Sequence, residues 1–177
     1  MTILNTIPEK FDGPSAWVGA DLQTRQNEWL YTLSTEDISE IEYAARYYLS
    51  LGRDLGEIMA QDFPLPKFSD HLQNMSEKLL RGIGVEVIRG LPIKSYSQEM
   101  AAAIFCGIGA HLGPARSQNA AGHILGHVRD IGADPNDPNA RIHQTSARQS
   151  FHTDSADVVA LMCLKDAKDG AIAFWSV

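Results

Sequence analysis

The sequence predicts an α+β fold in which helices come first and strands follow. Between residues 34 and 113, three stretches carry apolar residues at helical spacing, whereas residues 158–164 are a continuous apolar run of strand length. Helices followed by strands are typical of an α+β domain, or of the opening portion of a larger β fold with helical decoration. At 177 residues, 44% of them hydrophobic, the chain is long enough for one domain with its own core.

The first 33 residues show no helical or strand periodicity. They mix Pro, Gly and Asp with isolated aromatic residues, which predicts an N-terminal arm over 1–33 that packs its rings on the domain or is poorly ordered. No basic region precedes an apolar run, so a secretory signal is not expected. No window approaches the roughly 20 apolar residues of a membrane span.

Helices are predicted over about 34–52, 69–82 and 95–113. Ser34 is placed to cap the first helix, and acidic residues occupy its first turn. Glycines stand at the expected ends of all three helices. The predicted apolar faces consist of Ile38, Ile41, Ala45 and Tyr48; Leu72, Met75, Leu79 and Leu80; and Met100, Ile104, Ile108 and Leu112.

Three segments have strand character. Residues 84–89 alternate between apolar and polar side chains, residues 123–131 are compatible with a strand, and residues 158–164 suit the buried interior of a sheet. Residues 115–150 are rich in Gly, Asn, Asp, Pro and Arg, which predicts a long loop with several turns.

The net charge indicates which partners are not expected, and the cysteines indicate the compartment. A net charge of −7 argues against a nucleic-acid-binding surface and against adhesion to anionic membranes. Cys106 and Cys163 both lie in apolar surroundings and form no CxxC pair, which predicts two buried thiols in a reducing compartment. We therefore expect a cytoplasmic protein, with its oligomeric state left open.

The chain contains six histidines, and most have a structural interpretation. His71 and His111 fall within predicted helices, where they are expected at the surface or as hydrogen-bonded core residues. His123 and His127 are four residues apart, but their glycine-rich segment favours an extended backbone. Four extended residues span about 13 Å, which is too far for one ion.

His152 and Asp154 have a spacing that suits a metal. Two residues apart on an extended backbone, they point to the same side with their backbones about 6.6 Å apart, so that an imidazole nitrogen and a carboxylate oxygen can reach one cation. One His and one carboxylate are two thirds of the 2-His-1-carboxylate triad of non-haem iron oxygenases. An unrelated metal site completed by His143 or His127 is the alternative, although the spacing does not favour it.

Several motifs resemble the TauD/TfdA (taurine dioxygenase) family of Fe(II)/2-oxoglutarate-dependent oxygenases, and its fungal members in particular. The resemblance spans about residues 35–170. It is carried by FPLP (63–66), GIGVEVIRGLPI (82–93), YSQEM (96–100), IGAHLG (108–113), QNAAGHILGHVRDIG (118–132) and FHTDSADVVALMCLKDAKDG (151–170).

The resemblance implies N-terminal helices and the first part of a double-stranded β-helix (jelly-roll) core, in a partial domain over residues 34–177. It implies Fe(II) held by His152 and Asp154, 2-oxoglutarate as cosubstrate, and a small organic substrate that is hydroxylated or oxidatively cleaved. It also implies that Gln118 and Asn119 lie in a loop that lines the pocket.

The sequence departs from the family pattern after Asp154. The 23 residues that follow contain neither the distal His ligand nor the Arg that pairs with 2-oxoglutarate, and Ile172 stands where the family has a hydroxyl residue. The likeness ends near Gly170, so we expect a C-terminally truncated, inactive or impaired oxygenase. A non-catalytic fragment or interaction module derived from such an enzyme is the alternative.

Overall fold

The computed structural model describes residues 12–119, 121–137, 140–148, 150, 152, 154 and 156–165. These residues form mainly α-helices, together with one small two-stranded sheet. The helices are α1 (Gly19–Thr24), α2 (Gln26–Trp29), α3 (Thr35–Ser50), α4 (Phe68–Arg81) and α5 (Gln98–Leu112), and the strands are β1 (Leu30–Thr32) and β2 (Val87–Arg89). Short 3₁₀ turns lie at Leu55–Glu57, Ala60–Asp62, Ile93–Ser95 and Ile142–Gln144.

The three predicted helices are confirmed as α3, α4 and α5. Ser34 caps α3 as expected: its hydroxyl accepts from the Asp37 amide, and the Asp37 carboxylate accepts from the Ser34 amide. Ser97 caps α5 in the same way, by accepting from the Met100 amide.

The N-terminus of α4 has a partner that the sequence did not suggest. One carboxylate oxygen of Glu40, on α3, accepts from the amides of Lys67 and Phe68 at 2.9 Å each. A carboxylate at this position satisfies free amides and also favours the positive end of the helix dipole. The start of α4 is therefore fixed by a residue 28 positions earlier.

The core lies where α3, α4 and α5 meet. Its largest fully buried side chains are Tyr48, Phe63, Phe68, Ile41, Leu72 and Ile104. The predicted faces of α3 and α5 point into it, as do Leu72, Met75 and Leu79 of α4. Leu80 is the exception, with 57% of its surface exposed. It lies about 100° around the helix from Leu79, beyond the buried face.

Residues 18–32 are folded instead of forming an extended arm. They contain α1, α2 and β1, and β1 pairs in parallel with β2 in the register Leu30–Val87, Tyr31–Ile88 and Thr32–Arg89. The Trp17 indole also donates to the Ile83 carbonyl at 2.9 Å. The strand predicted over 84–89 is thus confirmed over its last three residues. The predicted division between residues 33 and 34 stays a prediction.

The C-terminal segment, residues 113–165 as far as they are described, corrects two strand predictions. Neither the described residues of 123–131 nor those of 158–164 form a strand. Residues 123–131 instead contribute two separate backbone bonds, from Arg129 to the His143 carbonyl and from Ile131 to the Gln144 carbonyl. A run such as 158–164 becomes a strand only when a neighbouring strand pairs with it, and the described residues supply none. The jelly-roll core therefore stays an expectation.

The cysteine prediction is half right. Cys106 is buried in α5, and burial raises the pKa of its thiol to about 11, so that it is inert at neutral pH. Cys163 is exposed, because its segment has no covering layer among the described residues.

None of the helices in the described ranges is long and apolar enough to cross a membrane.

Candidate metal centre

The loop before the candidate site is held in place by short-range hydrogen bonds. A 3₁₀ turn at Ile142–Gln144 is followed by Thr145, whose buried hydroxyl donates to the Ile142 carbonyl at 2.8 Å and accepts from the Ala147 amide at 3.1 Å. The two backbone bonds from residues 129 and 131 join the same turn. Thr145 therefore shapes the loop that leads to His152.

His152 and Asp154 lie together, as the two-residue spacing predicts. The His152 Nε2 and Asp154 Oδ1 atoms are 3.8 Å apart, and about half of each side chain is exposed to solvent. The other ring nitrogen of His152, Nδ1, is 3.0 Å from the Ser150 carbonyl oxygen. A carbonyl can only accept, so Nδ1 carries the proton, and in the neutral ring Nε2 keeps its lone pair on the side of Asp154.

This arrangement fits two ligands of one transition-metal ion. Bonds of about 2.1 Å from imidazole nitrogen and carboxylate oxygen allow one ion to touch donors up to about 4.2 Å apart. The separation of 3.8 Å is within that limit. A bond angle near 90° would bring the two atoms to about 3.0 Å, so a small side-chain rotation would complete the geometry. The Nδ1 bond to a carbonyl is the usual way in which a ligating imidazole is oriented.

No third donor joins the pair among the residues that the structure describes. In those ranges, no three side chains of His, Cys, Asp or Glu are grouped as a metal would require. His143 is partly buried in its 3₁₀ turn, and His127 is exposed in the segment before it. The alternative of a site completed by either histidine therefore receives no support from the described geometry.

Gln118 and Asn119 shape a local turn. Asn119 Oδ1 accepts from the amides of Ala121 and His123, and Gln118 Nε2 donates to the Arg116 carbonyl. Both side chains are exposed, and their hydrogen bonds to other described residues stay within 116–123. Their place in a substrate pocket stays a prediction.

Comparison with known proteins identifies the family. Residues 51–174 match the family described as taurine catabolism dioxygenase TauD, TfdA family. That match covers most of the chain and includes the His152–Asp154 segment. The chain belongs to the TauD/TfdA family.

Two curated relatives support the assignment. The TauD/TfdA chain is 29% identical over 159 residues to FR-33289 synthase of Streptomyces rubellomurinus, a match that covers 89% of this chain and 47% of that protein. It is 27% identical over 168 residues to the taurine hydroxylase-like protein SAT17 of Stachybotrys chartarum. This match covers 91% of this chain and 43% of that protein. The chain thus spans less than half the length of the relatives it matches.

Two of the predicted departures from the TauD/TfdA pattern fall outside the described residues. Ile172, in the position of a family hydroxyl, and the end of the likeness near Gly170 both lie beyond residue 165. The family match continues to residue 174, slightly past the limit of 170 that the motifs suggested.

The TauD/TfdA chain also contains a buried charged cluster that the sequence analysis missed. The fully buried Glu86 carboxylate accepts from His71 Nε2 at 2.7 Å and from the Lys78 ammonium. The His71 ring stacks on Tyr31, with ring centroids 3.6 Å apart. The signal was present in the alternation of 84–89, because Glu86 shares a strand face with the partly buried Ile88. His111 Nε2 donates to the Phe63 carbonyl oxygen at 2.8 Å, so both helical histidines are hydrogen-bonded, which is one of the two predicted interpretations.

Proposed function

We propose that this chain carries part of the active site of an Fe(II)/2-oxoglutarate-dependent dioxygenase, with His152 and Asp154 as two of the iron ligands. Family membership supports the reaction class. The 3.8 Å separation of His152 Nε2 and Asp154 Oδ1, on a segment within the family match, carries the residue assignment. The cosubstrate is 2-oxoglutarate, and the substrate is a small organic molecule that is hydroxylated or oxidatively cleaved.

Iron with 2-oxoglutarate supplies the oxidising power in this class of enzyme, and the protein positions the groups. In this chain, Asp154 would bring a negative charge to Fe(II), and His152 would offer Nε2 while Nδ1 stays bonded to the Ser150 carbonyl. Gln118 and Asn119 would line the substrate pocket. The third protein ligand and the cation that pairs with the 2-oxoglutarate carboxylate would come from outside the described residues.

Titration with Co(II), a spectroscopic substitute for Fe(II), tests the ligand assignment. We expect weak binding by the wild-type chain, because two protein ligands hold an ion less tightly than three. Binding should weaken at least tenfold in both His152→Ala and Asp154→Ala. His127→Ala is the matched control, since His127 is exposed and belongs to neither ligand position. Equal Co(II) affinity of the wild type and Asp154→Ala would show that His152 and Asp154 are not a pair of metal ligands.

A second candidate function is a non-catalytic module derived from such an enzyme. It is favoured by Ile172, an apolar residue that stands where the family pattern has a hydroxyl residue. We expect negligible succinate release when the chain alone is supplied with Fe(II), ascorbate and 2-oxoglutarate. Succinate release that His152→Ala abolishes would instead show that this chain is catalytic by itself.

A further inference from the structure

The turn at residues 141–147, here called the anchor turn, is bonded to an earlier part of the chain. The Arg129 amide donates to the His143 carbonyl at 3.1 Å, and the Ile131 amide donates to the Gln144 carbonyl at 3.0 Å. Both donors lie in the same segment as the residues that are proposed to line the substrate pocket. The anchor turn therefore links that segment to the part of the chain that leads into the metal pair.

The hydroxyl of Thr145 closes the anchor turn. It donates to the Ile142 carbonyl at 2.8 Å and accepts from the Ala147 amide at 3.1 Å, so it is used both as a donor and as an acceptor. Thr145 is only 9% exposed, and a buried hydroxyl that loses its partners costs free energy. Both bonds are kept only if the backbone holds this conformation as far as Ala147, which fixes the direction in which the chain continues.

The contacts of the metal pair itself are local. His152 Nδ1 is 3.0 Å from the Ser150 carbonyl oxygen, and His152 Nε2 is 3.8 Å from Asp154 Oδ1. Each of these contacts spans two residues, so together they set the shape of the pair but not its place relative to the rest of the chain. His152 follows Ala147 by only five residues. The anchor turn is therefore well placed to determine where the pair lies.

We propose that Thr145 is a positioning residue for the metal pair, which acts through the backbone of the anchor turn and is not itself a ligand. This role rests on the proposed function, because it assigns Thr145 to the same iron site. Without the hydroxyl, the Ala147 amide loses its acceptor, and the chain that enters His152 is no longer held in one direction. Residues that orient metal ligands without touching the metal commonly contribute about ten- to a hundredfold to metal affinity.

Co(II) titration of the full chain tests this role. Thr145→Val removes the hydroxyl and keeps the shape of the side chain. We expect it to bind Co(II) at least about tenfold more weakly than the wild type and to change the visible absorption spectrum of the bound ion. Its midpoint of urea unfolding should be unchanged, because the buried core cluster does not include Thr145.

Two further variants separate the hydroxyl from a general effect of the substitution. Thr145→Ser keeps the hydroxyl and should bind Co(II) like the wild type. Thr24→Val is the matched control, because the Thr24 hydroxyl also donates to a backbone carbonyl, that of Asp21 at 2.9 Å, but lies in α1. This control should leave both the affinity and the spectrum unchanged.

A second measurement needs no metal. NMR of the ring nitrogens at mildly alkaline pH reports which nitrogen carries the proton of a neutral imidazole. In the wild type we expect the His152 proton on Nδ1, bonded to the Ser150 carbonyl. Thr145→Val should give a mixture of the two tautomers, whereas Thr145→Ser should keep the wild-type signal.

Four results of the titration and unfolding experiments would overturn the positioning role. They are wild-type Co(II) affinity in Thr145→Val, a loss in Thr145→Ser as large as in Thr145→Val, an equal loss in Thr24→Val, and a lowered urea midpoint in Thr145→Val, which would make Thr145 a general structural residue. If the wild-type chain binds no Co(II), or binds it equally well as His152→Ala, the proposed function fails instead. The His152 ring signal then decides the role of Thr145, and a signal that does not differ between wild type and Thr145→Val contradicts it.

Discussion

At the scale of single residues, the candidate metal pair is a local feature. The spacing of two residues on an extended backbone is enough to place His152 Nε2 and Asp154 Oδ1 3.8 Å apart. For this reason the sequence could predict that the two side chains lie together. A third donor depends on how distant segments meet, and no local pattern encodes that.

The Glu86 cluster joins a fully buried carboxylate to two partners, His71 and Lys78. A buried carboxylate is costly unless cations and hydrogen bonds compensate for its lost hydration. His71 and Lys78 supply that compensation from one face of α4, and Lys78 remains one-third exposed. The cluster thereby links α4 to the segment that enters β2.

We predict that Lys78→Met lowers the free energy of unfolding by about 2 kcal/mol, because it leaves the Glu86 carboxylate buried with one partner fewer. Urea denaturation at neutral pH measures the change. Arg81→Met is the control: Arg81 also lies in the last turn of α4, but its bond to Glu77 joins two exposed side chains, and its loss should cost less than about 0.5 kcal/mol. Equal effects of the two substitutions would show that the Glu86 cluster does not stabilise the fold.

At the scale of elements, the helices were predictable and the strands were less so. The caps at Ser34 and Ser97 and the apolar faces of α3 and α5 are encoded within a few residues of one another. The cap on α4 comes from Glu40 in another helix, and the sequence near the start of α4 does not predict it. Pairing of β1 with β2 joins residues 57 apart in sequence, as in Leu30 and Val87. Strand predictions that lack such a partner fail, as over 123–131.

Helix α5 contains two glycines with opposite surroundings. A Cβ on Gly107 would lie 2.2 Å from the Phe63 ring, and Phe63 is fully buried. A Cβ on Gly109 would meet nothing within 4 Å. Gly107 therefore permits close packing of α5 on Phe63, whereas Gly109 has no such role.

We predict that Gly107→Ala and Gly109→Ala change stability in opposite directions. Gly107→Ala should destabilise the chain by about 2 kcal/mol, since the buried ring cannot move aside without strain. Gly109→Ala should stabilise it by about 0.5 to 1 kcal/mol, because alanine loses less backbone entropy in a helix. Thermal unfolding monitored by circular dichroism measures the stability change of each variant. A stabilising Gly107→Ala would mean that α5 packs less closely on Phe63.

At the scale of the whole molecule, the described residues separate into a helical unit and the C-terminal segment. All members of the buried core cluster lie between Leu33 and Ile104. The sequence instead predicts one partial domain over 34–177, with a loop over 115–150 and a buried sheet strand over 158–164. That assignment needs a sheet around the run, and sheet pairing is a property of the whole assembly that one segment cannot specify.

The helical unit should therefore fold without the C-terminal segment. We predict that a fragment of residues 1–116 unfolds cooperatively in urea, with a free energy of unfolding about 1 kcal/mol below that of the full chain. This difference corresponds to one partly buried side chain, because Met162 is the apolar residue that packs against the core cluster among the described residues of the segment. Met162→Ala in the full chain is the control and should reproduce most of the loss. A fragment that unfolds gradually, or that loses the helical circular dichroism signal, would show that the segment stabilises the core through contacts well beyond Met162.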